Sequence, residues 1–94
     1  MPKFKIKITK HCEDRCSDRN VTKEQIFEVV ENPMDVFYDE ERGNFKCCGT
    51  VIQPPYTDEP YLVVIYQKFN IEIKVITVMW KSKGGLKSIG FSNI

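Results

Sequence analysis

The sequence lacks any apolar run long enough to cross a bilayer, and its 94 residues include one histidine and one tryptophan. It is also short of net charge. Fourteen lysines and arginines against thirteen acids leave +1 at pH 7. That balance excludes a globally basic nucleic-acid binder, so any anion-binding surface has to come from local clustering. The closely spaced C-x-x-C pairs of the usual zinc site are missing as well. The opening MPKFKIKITK alternates charge with hydrophobe, unlike a signal peptide, and a cytoplasmic chain without a membrane partner is expected. No internal repeat is visible, and the length suits one small domain.

Charge is nonetheless segregated. Lys3, Lys5, Lys7 and Lys10 lie near the start, Lys81, Lys83 and Lys87 near the end, and the acids gather at 13–18, 24–31, 35–41 and 58–59. In KFKIKIT, Phe4, Ile6 and Ile8 face one way and the lysines the other, which predicts a half-buried strand. Those lysines either protect a strand's open face from aggregation or contact phosphate.

Residues 10–19 read as a helix with three sectors. At 100° per residue, His11, Arg15 and Arg19 fall on one cationic stripe, Cys12 and Cys16 lie beside it, and Glu13, Asp14, Ser17 and Asp18 lie opposite. A second helix opens with a capping box, Thr22 to Gln25, and a hydrophobic staple, Val21 to Ile26. Ile26, Val29 and Val30 form its buried face, and Asn32-Pro33 ends it.

Strands follow. Val36-Phe37-Tyr38 and 45–51 make a hairpin around DEERGN, where Gly43 is free to take a positive φ. QPPYTDEP is an exposed loop. Residues 61–69 and 71–80, with the runs YLVVIY and VITVMW, are expected at the centre of the sheet, covered on both sides for part of their length. The order is β-α-α-β-β-β-β, an α+β domain over 1–83 with two helices on a mainly antiparallel sheet. A glycine-hinged tail, 84–94, keeps Leu86, Ile89, Phe91 and Ile94 for packing on the body or on a second copy in a homodimer.

The stretch from His11 to Val21, HCEDRCSDRNV, resembles the pattern H-A-x-x-R-M-x-x-R-G-[IV], and Thr22 to Gln25 with Glu31-Asn32-Pro33 resembles its S/T-E-E-x…E-N-P continuation. Arg42-Gly43, VVIY and VITV also fit. These features are similar to an uncharacterised prokaryotic domain family related to BrnT toxins and, more distantly, to the RelE/ParE toxins. The resemblance spans roughly residues 4–80. It implies a RelE/BrnT-like fold, metal-independent RNA cleavage without a cofactor, and an antitoxin partner, with RNA or the ribosome as target. Cys12 and Cys16 stand where the pattern has Ala and Met, and Asn20 where it has Gly; Asn tolerates the left-handed conformation that a helix-ending glycine adopts.

Metal-free RNA cleavage needs a proton acceptor for the 2′-OH, cations for the phosphorane and an acid for the leaving oxygen. His11, Arg15 and Arg19 are the catalytic candidates, with Lys10, Lys81, Lys83 and Tyr66 as RNA contacts. Each has a structural alternative: His11 bonding to the helix start or the sheet, the arginines paired with acids of the second helix, Tyr66 in the core. Zinc held by His11, Cys12, Cys16 and Cys47 is a further reading, weaker because Cys47 and Cys48 point to opposite faces of a strand. A non-catalytic interaction module is the alternative to the enzyme.

Overall fold

The computed structural model describes residues 5–94. Lys3 and Phe4 of the expected first strand lie outside the described residues. The elements run β1 (Lys5–Ile8), α1 (Lys10–Arg19), α2 (Lys23–Glu31), β2 (Asp35–Asp39), β3 (Asn44–Thr50), β4 (Tyr61–Phe69), β5 (Glu72–Lys81) and α3 (Lys83–Ser88). One five-stranded sheet has the order β1-β5-β4-β3-β2. The chain leaves one edge at β1, crosses through the two helices to the far edge at β2, and walks back by hairpins until β5 pairs with β1. That last pair is parallel and the others are antiparallel. The expected α+β architecture is therefore observed, with β4 at its centre.

Local chemistry sets the helix ends. Thr9 accepts from the Cys12 amide at 3.1 Å and starts α1. Asn20 ends it in the left-handed region at φ 57, where its amide and that of Val21 both reach the Cys16 carbonyl. The capping box closes in both directions, Gln25 N to Thr22 Oγ1 at 3.2 Å and Thr22 N to Gln25 Oε1 at 2.9 Å. Gly43 takes its positive φ in the β2–β3 turn.

The sheet carries a core on each face. Under α1 and α2, Cys12, Ile26, Val29 and Val30 pack on Cys47, Leu62, Val64, Val75, Val78 and Trp80. A bulge makes this set possible: Ile65 pairs with Thr77 but Tyr66 with Val75, so Ile76 is an extra residue on β5. Val75 and Val78, three apart, thus face the same helices. The register is invisible to a strict period of two.

On the opposite face, Leu86 and Phe91 are buried against Cys48 and Val63, with Phe37, Met79, Ile89 and Ile94 around them. Here the structure corrects the sequence reading. Gly84 and Gly85, expected as a hinge, lie in the first turn of α3, whose N-cap Ser82 accepts from the Gly85 amide at 3.1 Å. The apolar tail packs on the body of its own chain, one of the two placements expected for it, and among the described residues it is what covers the sheet's second face. Its last residues are held by Asp35, which accepts from the Ser92 and Asn93 amides at 3.2 and 3.1 Å. These bonds lower the Asp35 carboxyl from its ordinary value, the Asn93 amide most of all.

Candidate functional site

The parallel edge determines where the cations stand. β1 accompanies β5 only from Glu72 to Val75. Beyond that point α1 runs beside β5 in place of a strand, and its polar groups meet the open carbonyls. Thr9 Oγ1 donates to Ile76 O at 3.5 Å and Arg19 Nη1 to Val78 O at 2.6 Å. In return Trp80 Nε1 donates to Arg19 O at 2.6 Å. Arg19 is thereby clamped to β5 from both its side chain and its backbone.

This clamp brings together residues sixty positions apart. Arg19, Tyr56, Glu59, Met79, Trp80 and Lys81 line one open groove of about 510 Å³ at the C-terminal end of β5. Asn20 Nδ2 donates to the Tyr56 hydroxyl at 3.2 Å, holding the proline-rich loop over the groove. The Lys81 stem lies across Gly85: a Cβ there would stand 3.2 Å from Lys81 Cδ. A side chain at 85 would crowd the lysine, so the glycine read as a hinge serves as a close-approach point.

The remaining candidates distribute as follows. His11 and Lys10 are exposed at the start of α1, and Arg15 is half-buried between His11 and Arg19. A helical rise of about 1.5 Å per residue puts His11 about 12 Å along the axis from Arg19. His11 therefore does not line the groove. Lys83 is exposed on α3 and also lies outside the lining. The stripe's arginines were given acidic partners in α2 as an alternative; the three ion pairs among the described residues, Lys7–Glu72, Arg42–Asp39 and Lys46–Asp39, include neither.

Tyr66 is not a surface residue. It is 8% exposed, stacked on Phe45 with centroids 5.5 Å apart, and burial pushes its phenol up to about 12. Its strand places it on the helix-covered face, so it cannot stack an RNA base directly. Tyr56, Glu59 and Trp80 were missed as groove residues. Their positions depend on loop closure and on the bulged register, and no local pattern signals either.

The four cysteines are free. Cys12 and Cys16 Sγ lie 3.9 Å apart one turn along α1. Desolvation raises Cys12 and Cys47 to about 12 and Cys48 to about 11. A thiol raised in this way stays protonated, the opposite of an activated nucleophile. Among the described residues no three His, Cys, Asp or Glu side chains converge as a metal-binding group, and His11 with Cys12, Cys16 and Cys47 is not such a group. No described helix is long and apolar enough to cross a membrane.

The fold and groove define a small α+β domain whose helix-bounded sheet edge carries an arginine and a lysine beside two aromatic rings. The chain belongs to the family described as a domain of unknown function, DUF4258, whose model matches residues 8–80. No curated protein and no solved structure matches it. The family match begins at the end of β1 and stops one residue before Lys81. It includes Arg19, Tyr56, Glu59 and Trp80.

Proposed function

We propose that this protein is a BrnT/RelE-like ribonuclease of a toxin–antitoxin pair, which binds single-stranded RNA in the groove and cleaves it without a metal ion. The observation that carries the reading is the convergence of Arg19 and Lys81 beside Tyr56 and Trp80. Two cations supply a phosphate site, and a guanidinium fork keeps free donors after bonding Val78 O. The exposed Tyr56 ring supplies a face for a base, and buried Trp80 forms the wall beneath the cations. Arg15, His11 and Lys10 continue the positive track along α1.

Cleavage forms a bond from the ribose 2′-oxygen to phosphorus and breaks the bond from phosphorus to the 5′-oxygen. Glu59, the carboxylate of the groove, takes the 2′-OH proton. Arg19 and Lys81 stabilise the phosphorane charge, and the Tyr56 hydroxyl gives a proton to the leaving oxygen. His11, at the other end of α1, contacts the strand without transferring a proton.

Trp80 is the chain's one tryptophan, so its emission reports groove occupancy. Single-stranded RNA should shift it, less so at higher salt. In EDTA, wild type should cut RNA; Glu59→Gln should keep binding and lose at least about a hundredfold in rate. Lys81→Ala should weaken binding, and His11→Ala should leave cleavage in place. An unresponsive Trp80 together with intact RNA would defeat the proposal, and loss of cleavage in His11→Ala alone would return the proton transfer to His11.

A second reading, a non-catalytic interaction module, draws on the edge strand β2, whose Val36 and Tyr38 are exposed with Met34 beside them. Light scattering tests it. A monomer that binds no protein partner would count against the module.

A further inference from the structure

The sheet has two outer strands, and their chemistries are opposite. β1 and β2 each pair with one neighbour, β5 and β3. The outer side of such a strand carries N–H and C=O groups that a further strand can take up. On β1, Ile6 and Ile8 pack on the core under α1 and α2, so Lys5 and Lys7 stand on the other face. On β2, Tyr38 meets Phe45 of that same core at 4.9 Å, and Val36 pairs with its Cys47. Phe37 packs on the core under α3, which puts Asp35 and Asp39 on the α3 face. KIKI and DVFYD therefore match face by face, isoleucines with Val36 and Tyr38, lysines with aspartates.

The β2 edge is also poorly covered. α2 packs on β3 and β4 and leaves Val36 45% and Tyr38 51% exposed on the face it shelters elsewhere. Charge decides what can cover them. Two β2 strands paired about a two-fold axis at Phe37 would set Asp35 against Asp39, and two β1 strands would set lysine against lysine. A β1 edge meeting a β2 edge avoids both clashes. The directions fit as well, since β2 runs opposite to β1 within the sheet.

We propose that β2 of one copy of this chain pairs antiparallel with β1 of the next, extending the sheet from chain to chain into an open, reversible filament. The contact joins two different surfaces, so each added copy leaves one edge of each kind ready for another. Strand twist and spacing turn each five-stranded copy by about 110° and advance it by about 24 Å, a screw that does not close on itself. The contact is weak. β1 offers only Lys5–Ile8, and in the single chain Asp35 Oδ1 accepts the Val36 amide at 2.9 Å, a bond at the edge that pairing has to accommodate. The proposal deepens the interaction-module reading by naming its partner as a second copy, and it holds whether or not the groove cleaves RNA.

The test is light scattering on the full chain over a range of concentrations. Wild type should grow from one chain's mass through a spread of multiples as concentration rises. Val36→Lys with Tyr38→Lys removes the apolar half of the β2 edge and should stay at one chain's mass. Lys5→Glu sets a carboxylate against the aspartates and should do the same. Lys5 is exposed, so its replacement spares the core, and circular dichroism verifies the fold of each variant. The decisive sample is an equimolar mixture of the two variants. One keeps a sound β1 and the other a sound β2, so the mixture should form two-chain complexes and nothing longer.

Single-chain mass for wild type at every concentration would overturn the self-pairing and leave the module reading to a protein of another kind. A discrete dimer that stops growing would mark a symmetric contact and overturn the pairing of unlike edges. Growth that survives Val36→Lys with Tyr38→Lys would overturn the assignment to β2, and a mixture that stays at single-chain mass would overturn the pairing with β1.

Discussion

Raising the pH should unfold this protein through its thiols. Cys47 is 1% exposed between α2 and the sheet, and Cys12 and Cys48 are fully buried. Desolvation moves Cys47 and Cys12 from an ordinary 9.0 to about 12, and Cys48 to about 11. The unfolded chain releases these protons above pH 9 and the folded chain retains them. The unfolded state therefore binds fewer protons in that window, and stability falls as pH rises. It is fully present below pH 9 and drains away up to the folded values. Each thiol removes about 1.4 kcal/mol per pH unit, so the three together remove about 4 kcal/mol per unit. Against a total of about 5–15 kcal/mol for a small domain, unfolding should be complete within a few pH units. Urea titrations followed by circular dichroism from about pH 8 to about pH 11, with reductant present, measure the slope. Cys47→Ala is the control that isolates the thiol: its slope should be shallower than wild type by one thiol's share. Parallel slopes in the two proteins would refute the reasoning.

Four further outcomes are expected. Trp80→Phe keeps the ring but strands the Arg19 carbonyl, which now accepts at 2.6 Å; urea unfolding should show a loss of about 1–3 kcal/mol. Asn20→Val, forced into φ 57, should cost at least about 1 kcal/mol by thermal melts, whereas Asn20→Gly should be tolerated at that φ. Phe91→Ala should cost about 3–5 kcal/mol in urea by opening the second core, where the ring meets Phe37 edge-on at 5.0 Å. Arg19→Lys keeps charge but loses the planar fork; it should lower stability by about 1–3 kcal/mol and weaken RNA binding, both read on one purified sample.

Much of the fold was legible because its signals are local. The capping box at Thr22, the staple at Val21 and the three-residue face of α2 depend on neighbours within one or two turns. Asn20 as a left-handed terminator was legible because it stands where the resembled pattern has Gly and its short amide side chain tolerates that conformation. The central placement of β4 and β5 followed from their unbroken apolar runs. What stayed hidden is non-local. Two glycines in succession read as a hinge, because the Ser82 cap and the burial of Leu86 that make them helical act from outside the pair. The stripe of His11, Arg15 and Arg19 was correctly placed on one helix. Its division was not: Arg19 reaches β5 because β1 stops at Ile8, and no pattern within α1 encodes where another strand ends. The same limit applies to Tyr66, whose residue type suits a base-stacking surface and a core equally.

The clamp at Arg19 shows why a structural role and a binding role need not compete. A guanidinium has five donors in a rigid plane, and one of them bonds the Val78 carbonyl. That bond removes freedom the side chain would otherwise lose on meeting a phosphate, so the remaining donors are aimed in advance. Trp80 extends the argument, since its indole nitrogen holds the Arg19 backbone while its side chain lines the groove. Lys81 follows directly in sequence and is seated over Gly85. Arg19 is therefore fixed by the contacts that close the open edge of β5, and Lys81 by the close approach of α3. An edge left short by its parallel partner must be covered in any case. Here the groups that cover it are the ones able to hold an anion, which ties the proposed activity to the topology of the sheet.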